Sequence, residues 1–92
     1  MSKPVIIQSD STLLLEVIHP DFESARDAIS IFAELEKSPE YIHTYRITPL
    51  SLWNAAAIGY SYDEIIERLY AYSRYEIPEI VVTTVKEYMG RY

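Results

Sequence analysis

Between Tyr41 and Gly59 the hydrophobic period changes from two to about 3.6 within two residues. From Tyr41 to Ile47 the side chains alternate, with Tyr41, His43, Tyr45 and Ile47 on one face and Ile42, Thr44 and Arg46 on the other. That alternation is the mark of a strand. Thr48 then stands at a helix N-cap, with Pro49 at the first helical position, where a missing amide proton costs nothing. Leu50, Trp53 and Ala57 form one stripe, Ala55, Ala56 and Ala57 favour helix, and Gly59 suits the left-handed end. A strand joined directly to a capped helix excludes all-α and all-β architectures.

The N-terminal segment predicts a hairpin. Val5-Ile6-Ile7 and Thr12 to Ile18 are two β-rich runs around the polar link Gln8-Ser9-Asp10-Ser11. In the second run Leu13, Leu15 and Val17 share the face expected to enter the core, and Leu14 and Glu16 the other.

Asp21 is a favourable N-cap, and Phe22, Ala25, Ile29, Phe32 and Ala33 recur at spacings of three and four. This predicts an amphipathic helix to about Leu35, ended by Ser38-Pro39. Ser61-Tyr62-Asp63-Glu64 is a capping box, and it opens a helix with Ile65, Ile66, Leu69 and Tyr72 inward. Pro78 begins the last segment, in which Val81, Val82, Val85, Tyr88 and Met89 are apolar. Its β-branched residues are compatible with a strand. The Pro78-Glu79 start, Lys86 near the end and Gly90 favour a helix. The expected fold is α+β, one domain over residues 1–92, with a three-stranded antiparallel sheet under about four helices.

Composition narrows the function. At 49% hydrophobic residues the chain can build a core, and nine tyrosines can cover apolar surface while keeping a hydroxyl in water. With no cysteine, disulfides and thiolate zinc sites are excluded. No run approaches the ~20 apolar residues of a membrane span, and no signal peptide is visible. A formal net charge of −6 argues against tight autonomous DNA binding, because phosphate backbones reward Lys and Arg. Only Gly59 and Gly90 are glycines, and neither stands in a phosphate-binding loop, so ATP hydrolysis by these residues is not expected.

Neither His19 nor His43 has acidic or histidine partners at metal-ligand spacing; a turn hydrogen bond and a packing contact are the expected roles. Thr48 to Tyr72 has the spacing of a helix-turn-helix, with Ala55, Gly59 and Ile65 at the crossing. Its second helix, however, opens with Asp63 and Glu64, which repel phosphates. Arg46, Arg68 and Arg74 with Tyr45, Tyr70 and Tyr75 would make a base-stacking surface if they clustered. Trp53 is expected as a core anchor, with an interface hot spot as the alternative. Tyr60 and Tyr62, on the turn between two helices, are the preferred interface candidates. The candidate surface is therefore Tyr60, Tyr62, Arg46, Arg68, Arg74 and Tyr75.

Ile42 to Gly59, together with Pro4–Val17, His19–Asp27, Phe32–Pro39 and Tyr72–Tyr75, resembles the N-terminal domain of the bacterial-type XPB DNA repair helicases. The resemblance covers nearly the whole chain. It implies a non-catalytic accessory domain of an ATP-dependent helicase, ahead of a damage-recognition region and two motor lobes. ATP and Mg would then belong to the parent motor, with no cofactor in this chain. The implied partners are the motor domains in cis and a protein in trans, as in eukaryotic members, whose N-terminal region docks onto a subunit with a similarly folded domain. DNA contact would be weak or indirect, no membrane would be involved, and the location would be cytoplasmic or nucleoid-associated. A small DNA-binding domain and a stand-alone adaptor are the alternatives. The Val5–Gln8 strand is expected to offer an open sheet edge to a partner.

Overall fold

The computed structural model of the chain describes residues 2–91. Its elements run β1 (Val5–Ile7), β2 (Thr12–Glu16), α1 (Phe22–Ile29), β3 (Glu34–Lys37), β4 (Ile42–Arg46), α2 (Pro49–Ala57), α3 (Tyr62–Tyr72) and α4 (Glu79–Gly90). The class is α+β as expected. The sheet, however, has four strands in the order β1-β2-β4-β3, each pair antiparallel, rather than three.

The fourth strand comes from the region expected to be helix. α1 stops at Ile29, and the chain turns with the Phe32 N–H donating to the Ile29 carbonyl at 3.1 Å. Phe32 and Ala33 are buried, which is why they keep the helical spacing, but they pack from an irregular turn. Glu34–Lys37 then pairs with β4, Glu34 opposite Arg46 and Leu35 opposite Tyr45, with a bulge before Lys37. The pairing gives partners to backbone groups of β4 that would otherwise form a bare edge. Asp21 precedes α1 but makes no side-chain cap. Its N–H instead donates to His19 Nδ1 at 3.0 Å, the turn role expected of that histidine. His43 packs on the Phe22 ring, 5.4 Å between centroids and edge to face.

The hairpin forms in register, Val5 opposite Leu15 and Ile7 opposite Leu13. One face of the sheet carries Val5, Ile7, Leu13, Leu15 and Tyr45, all buried under the helices. Residues directly opposite share a face, so Ile6, Leu14 and Thr44 lie together on the other, half-buried. Only part of the β1 edge is open. Ser73 bridges to Val5, and the Arg74 N–H donates to the Val5 carbonyl at 2.7 Å. The exposed edge is β3, and its charges and bulge are features that discourage strand addition.

The helix starts read at Thr48 and Ser61 are both realised as capping boxes. The Ser51 N–H donates to Thr48 Oγ1 at 3.0 Å and the Thr48 N–H to Ser51 Oγ at 2.9 Å. Ser61 and Glu64 make the same reciprocal pair at the start of α3. The inward face of α2 differs from the expected Leu50–Trp53–Ala57 stripe. Ser51, Leu52 and Ala55 are buried, whereas Leu50 and Ala57 are exposed and Trp53 is half-buried. Ser51 Oγ donates to the Phe32 carbonyl at 2.8 Å, which sets the rotation of the helix about its axis. Successive residues turn by about 100°, so fixing Ser51 inward carries Ala55 inward and Leu50 out. The last segment is a helix, with Val81 and Val85 in the core.

Candidate interaction surface

Two of the candidate residues lie on the turn from α2 to α3. Gly59 has φ +105°, a conformation a side chain would strain. The N–H groups of Gly59 and Tyr60 donate to the carbonyls of Ala56 and Ala55, each at 3.0 Å, so the turn is tied to the end of α2. The Tyr60 ring is then fixed by Arg68. Its guanidinium carbon lies 4.9 Å from the ring centroid, while Nη1 donates to the Ala28 carbonyl at 3.2 Å. Arg68 is thus a structural pin between α3, the turn and the end of α1.

The other wall is the last turn of α4. Trp53 Nε1 donates to the Tyr88 carbonyl at 2.9 Å and holds that turn against α2. Between the walls lies a cleft of about 600 Å³, lined by Ala56, Gly59, Tyr60, Ser61, Tyr62, Lys86, Met89 and Gly90. The lining is mostly apolar and contains a single charged side chain. A largely apolar concavity with few polar groups is the usual form of a small docking site. A second cleft of about 420 Å³ lies between α1 and α3, lined by Ser24, Asp27, Ala28, Glu67, Arg68, Ala71 and Tyr72.

The structure puts Tyr60 and Tyr62 on one cleft and packs Arg68 on the Tyr60 ring, and it leaves the other candidates apart. Arg46 Nε pairs with Glu36 at 3.1 Å, towards the β3 edge. Arg74 pairs with Glu16 and donates from Nε to the Lys3 carbonyl at 2.9 Å, beside the opposite edge at β1. Tyr75 is exposed and lines neither cleft. The three arginines therefore form no common basic surface, and each is engaged within the fold. The helix-turn-helix geometry is not prominent either: α2 packs chiefly on α4, and α3 on α1 and α4. Lys86, Met89 and Gly90 are cleft residues that the sequence placed in the last helix, Lys86 and Gly90 as end signals and Met89 as an apolar position, and not at an interaction surface. Their i, i+3, i+4 spacing on one helix face was the available signal.

Among the described residues no group of three or more His, Asp or Glu is arranged to hold a metal ion. No helix among them is long and apolar enough to cross a membrane.

The profile of a family described as "Helicase conserved C-terminal domain" matches residues 5–92. The chain belongs to that family. Within this helicase-domain family its similarity is to XPB-type proteins. It is 52% identical over 89 residues to "DNA 3'-5' helicase XPB" of Kineococcus radiotolerans, covering 97% of this chain and 16% of that protein. It is 51% identical over 89 residues to the protein of the same name from Mycobacterium tuberculosis, with the same coverage of 97% and 16%. A Saccharomyces cerevisiae protein named "General transcription and DNA repair factor IIH helicase/translocase subunit XPB/SSL2" is 35% identical over 86 residues, 92% of this chain and 10% of that protein. The chain thus spans about a sixth of the length of its bacterial relatives. The helicase-domain family has a C-terminal description, while the resemblance read from the sequence places the segment ahead of the motor. A matched share of 16% is the same for either position.

Proposed function

We propose that this chain is a non-catalytic accessory domain of an XPB-like ATP-dependent DNA helicase acting in DNA repair, and that it works by protein contact. The observation that carries the reading is the preorganised apolar cleft between the Tyr60–Tyr62 turn and α4, in a domain whose arginines are committed to internal contacts. Preorganised walls favour docking because little conformational entropy is lost on binding. The motor lobes in cis and a protein in trans are the proposed contacts, with ATP and Mg confined to the motor. The N-terminal placement, ahead of the motor, and a cytoplasmic or nucleoid-associated setting are parts of the same proposal. DNA reading by the domain itself is the weaker alternative. The net charge of −6 opposes it, and Arg46, Arg68 and Arg74 are not gathered into one surface that would supply the counterion release driving such binding.

The test is site-specific photocrosslinking in the helicase that carries this domain, with p-benzoylphenylalanine in place of Tyr62. Crosslinks to protein outside the domain are expected. Crosslinks to labelled DNA, or none to protein, would overturn the reading.

A further inference from the structure

The Tyr60–Tyr62 cleft has a chemical bias that its apolar walls alone do not show. Of its lining residues only Lys86 is charged. Lys86 has no ion pair among the described residues, and Glu87, next to it on the helix but turned about 100° away, pairs with Arg91. Glu64, at the third position of α3, accepts from the Ser61 N–H at 3.0 Å. The cleft therefore combines an apolar pocket, formed by the two tyrosines and Met89, with one lysine at its lining that no described carboxylate pairs. The neighbouring cleft between α1 and α3 carries Asp27, Glu67 and Arg68 and so has no single sign to select by.

We propose that this cleft takes an apolar side chain of a partner protein flanked by a carboxylate, an Asp or Glu placed to reach Lys86. The proposal rests on the protein-contact reading above and deepens it. The chain's overall negative charge does not forbid an acidic ligand. Beyond about 8 Å, charges are screened at physiological ionic strength, while Lys86 acts at contact distance. The apolar anchor supplies affinity, and the ion pair supplies choice between partners.

Three capped tetrapeptides test the chemistry by amide chemical-shift titration of the ¹⁵N-labelled chain: acetyl-Glu-Leu-Phe-Glu-amide, its Gln version and its Lys version. Shifts are expected at Tyr60, Ser61, Tyr62 and Met89, with affinity in the order Glu, Gln, Lys. For a partly exposed ion pair the Glu peptide should bind about twofold to fivefold tighter than the Gln peptide. Lys86→Gln should abolish that ratio, and Tyr62→Ser should weaken all three peptides. Both sites are exposed or half-buried, and an unchanged spectrum elsewhere reports an intact fold. Equal affinities, no binding, or shifts centred on another surface would each overturn the proposal. Loss of peptide discrimination with photocrosslinking to protein preserved would sink only this chemistry. Loss of the protein crosslinks would sink the functional reading itself.

Discussion

The indole N–H of Trp53 donates to the backbone carbonyl of Tyr88 at 2.9 Å, and the two rings meet edge to face with centroids 6.4 Å apart. One side chain thus joins α2 to the last turn of α4 and holds one wall of the cleft. Trp53 is half-buried, so its role is to brace that wall rather than to fill the centre of the core. Trp53→Phe keeps most of the packing and removes the hydrogen bond, which should cost about 1 kcal/mol. Trp53→Ala should cost about 2–3 kcal/mol, below the full range for a buried Trp. Urea unfolding at unchanged m-value is the measurement.

Ser51 should matter more than its size implies. It is buried, its hydroxyl donates to the Phe32 carbonyl, and the Thr48 N–H donates to it. Ser51→Ala leaves that carbonyl without its partner and opens half of the capping box, so a loss of about 1–2 kcal/mol is expected. The Thr48→Ala loss should not add to it in full, because both residues belong to one network. Denaturation of the two single variants and the double variant checks this.

Stability should fall at high pH through Tyr45. Burial raises the pKa of its phenol above the ordinary value of 10.0. Above pH 10 the unfolded chain therefore ionises first and binds fewer protons, so unfolding becomes easier as pH rises. Tyr45→Phe should remove that part of the alkaline loss, seen by comparing urea midpoints at pH 8 and pH 11. At the acid end Asp10 acts in the opposite sense. The hydroxyl and backbone N–H of Thr12 hold its carboxyl below 3.8, so its small stabilisation is lost as pH falls through that region.

The two ion pairs flanking the sheet should differ in worth. Arg74 and Glu16 are 19% and 33% exposed, whereas Arg46 and Glu36 are 42% and 39% exposed. Arg74 also donates to the Lys3 carbonyl, and so it ties the N-terminal segment to the end of α3. Arg46→Ala should cost less than about 1 kcal/mol, as exposed pairs do. Arg74→Ala should cost about 1–2 kcal/mol, since it removes a charge-assisted hydrogen bond as well. A double-mutant cycle on each pair separates the pairwise part.

Local signals carried the parts of this fold that could be read in advance. The hairpin, the Thr48-Pro49 start and the Ser61–Glu64 box are each decided by residues within a few positions of one another. β3 was hidden because Phe32 and Ala33 continue a helical spacing while packing from a turn. Its four exposed residues have no alternation of burial, and the strand exists through pairing with β4. The inward face of α2 depends on the contact between Ser51 and Phe32, 19 residues apart in sequence. At the candidate site, Tyr60 and Tyr62 stood out as aromatics on a turn. The wall formed by Lys86, Met89 and Gly90 needed the docking of α4 on α2, and the separation of the three arginines needed the strand order.

Protein contact rather than DNA reading is tested most directly by the fluorescence anisotropy of labelled single- and double-stranded oligonucleotides titrated with this chain at 150 mM salt. The account predicts dissociation constants weaker than about 10⁻⁴ M, the weak limit of non-specific DNA binding. It also predicts no change when Arg46, Arg68 and Arg74 are replaced together. Saturable micromolar binding that the triple replacement abolishes would contradict it.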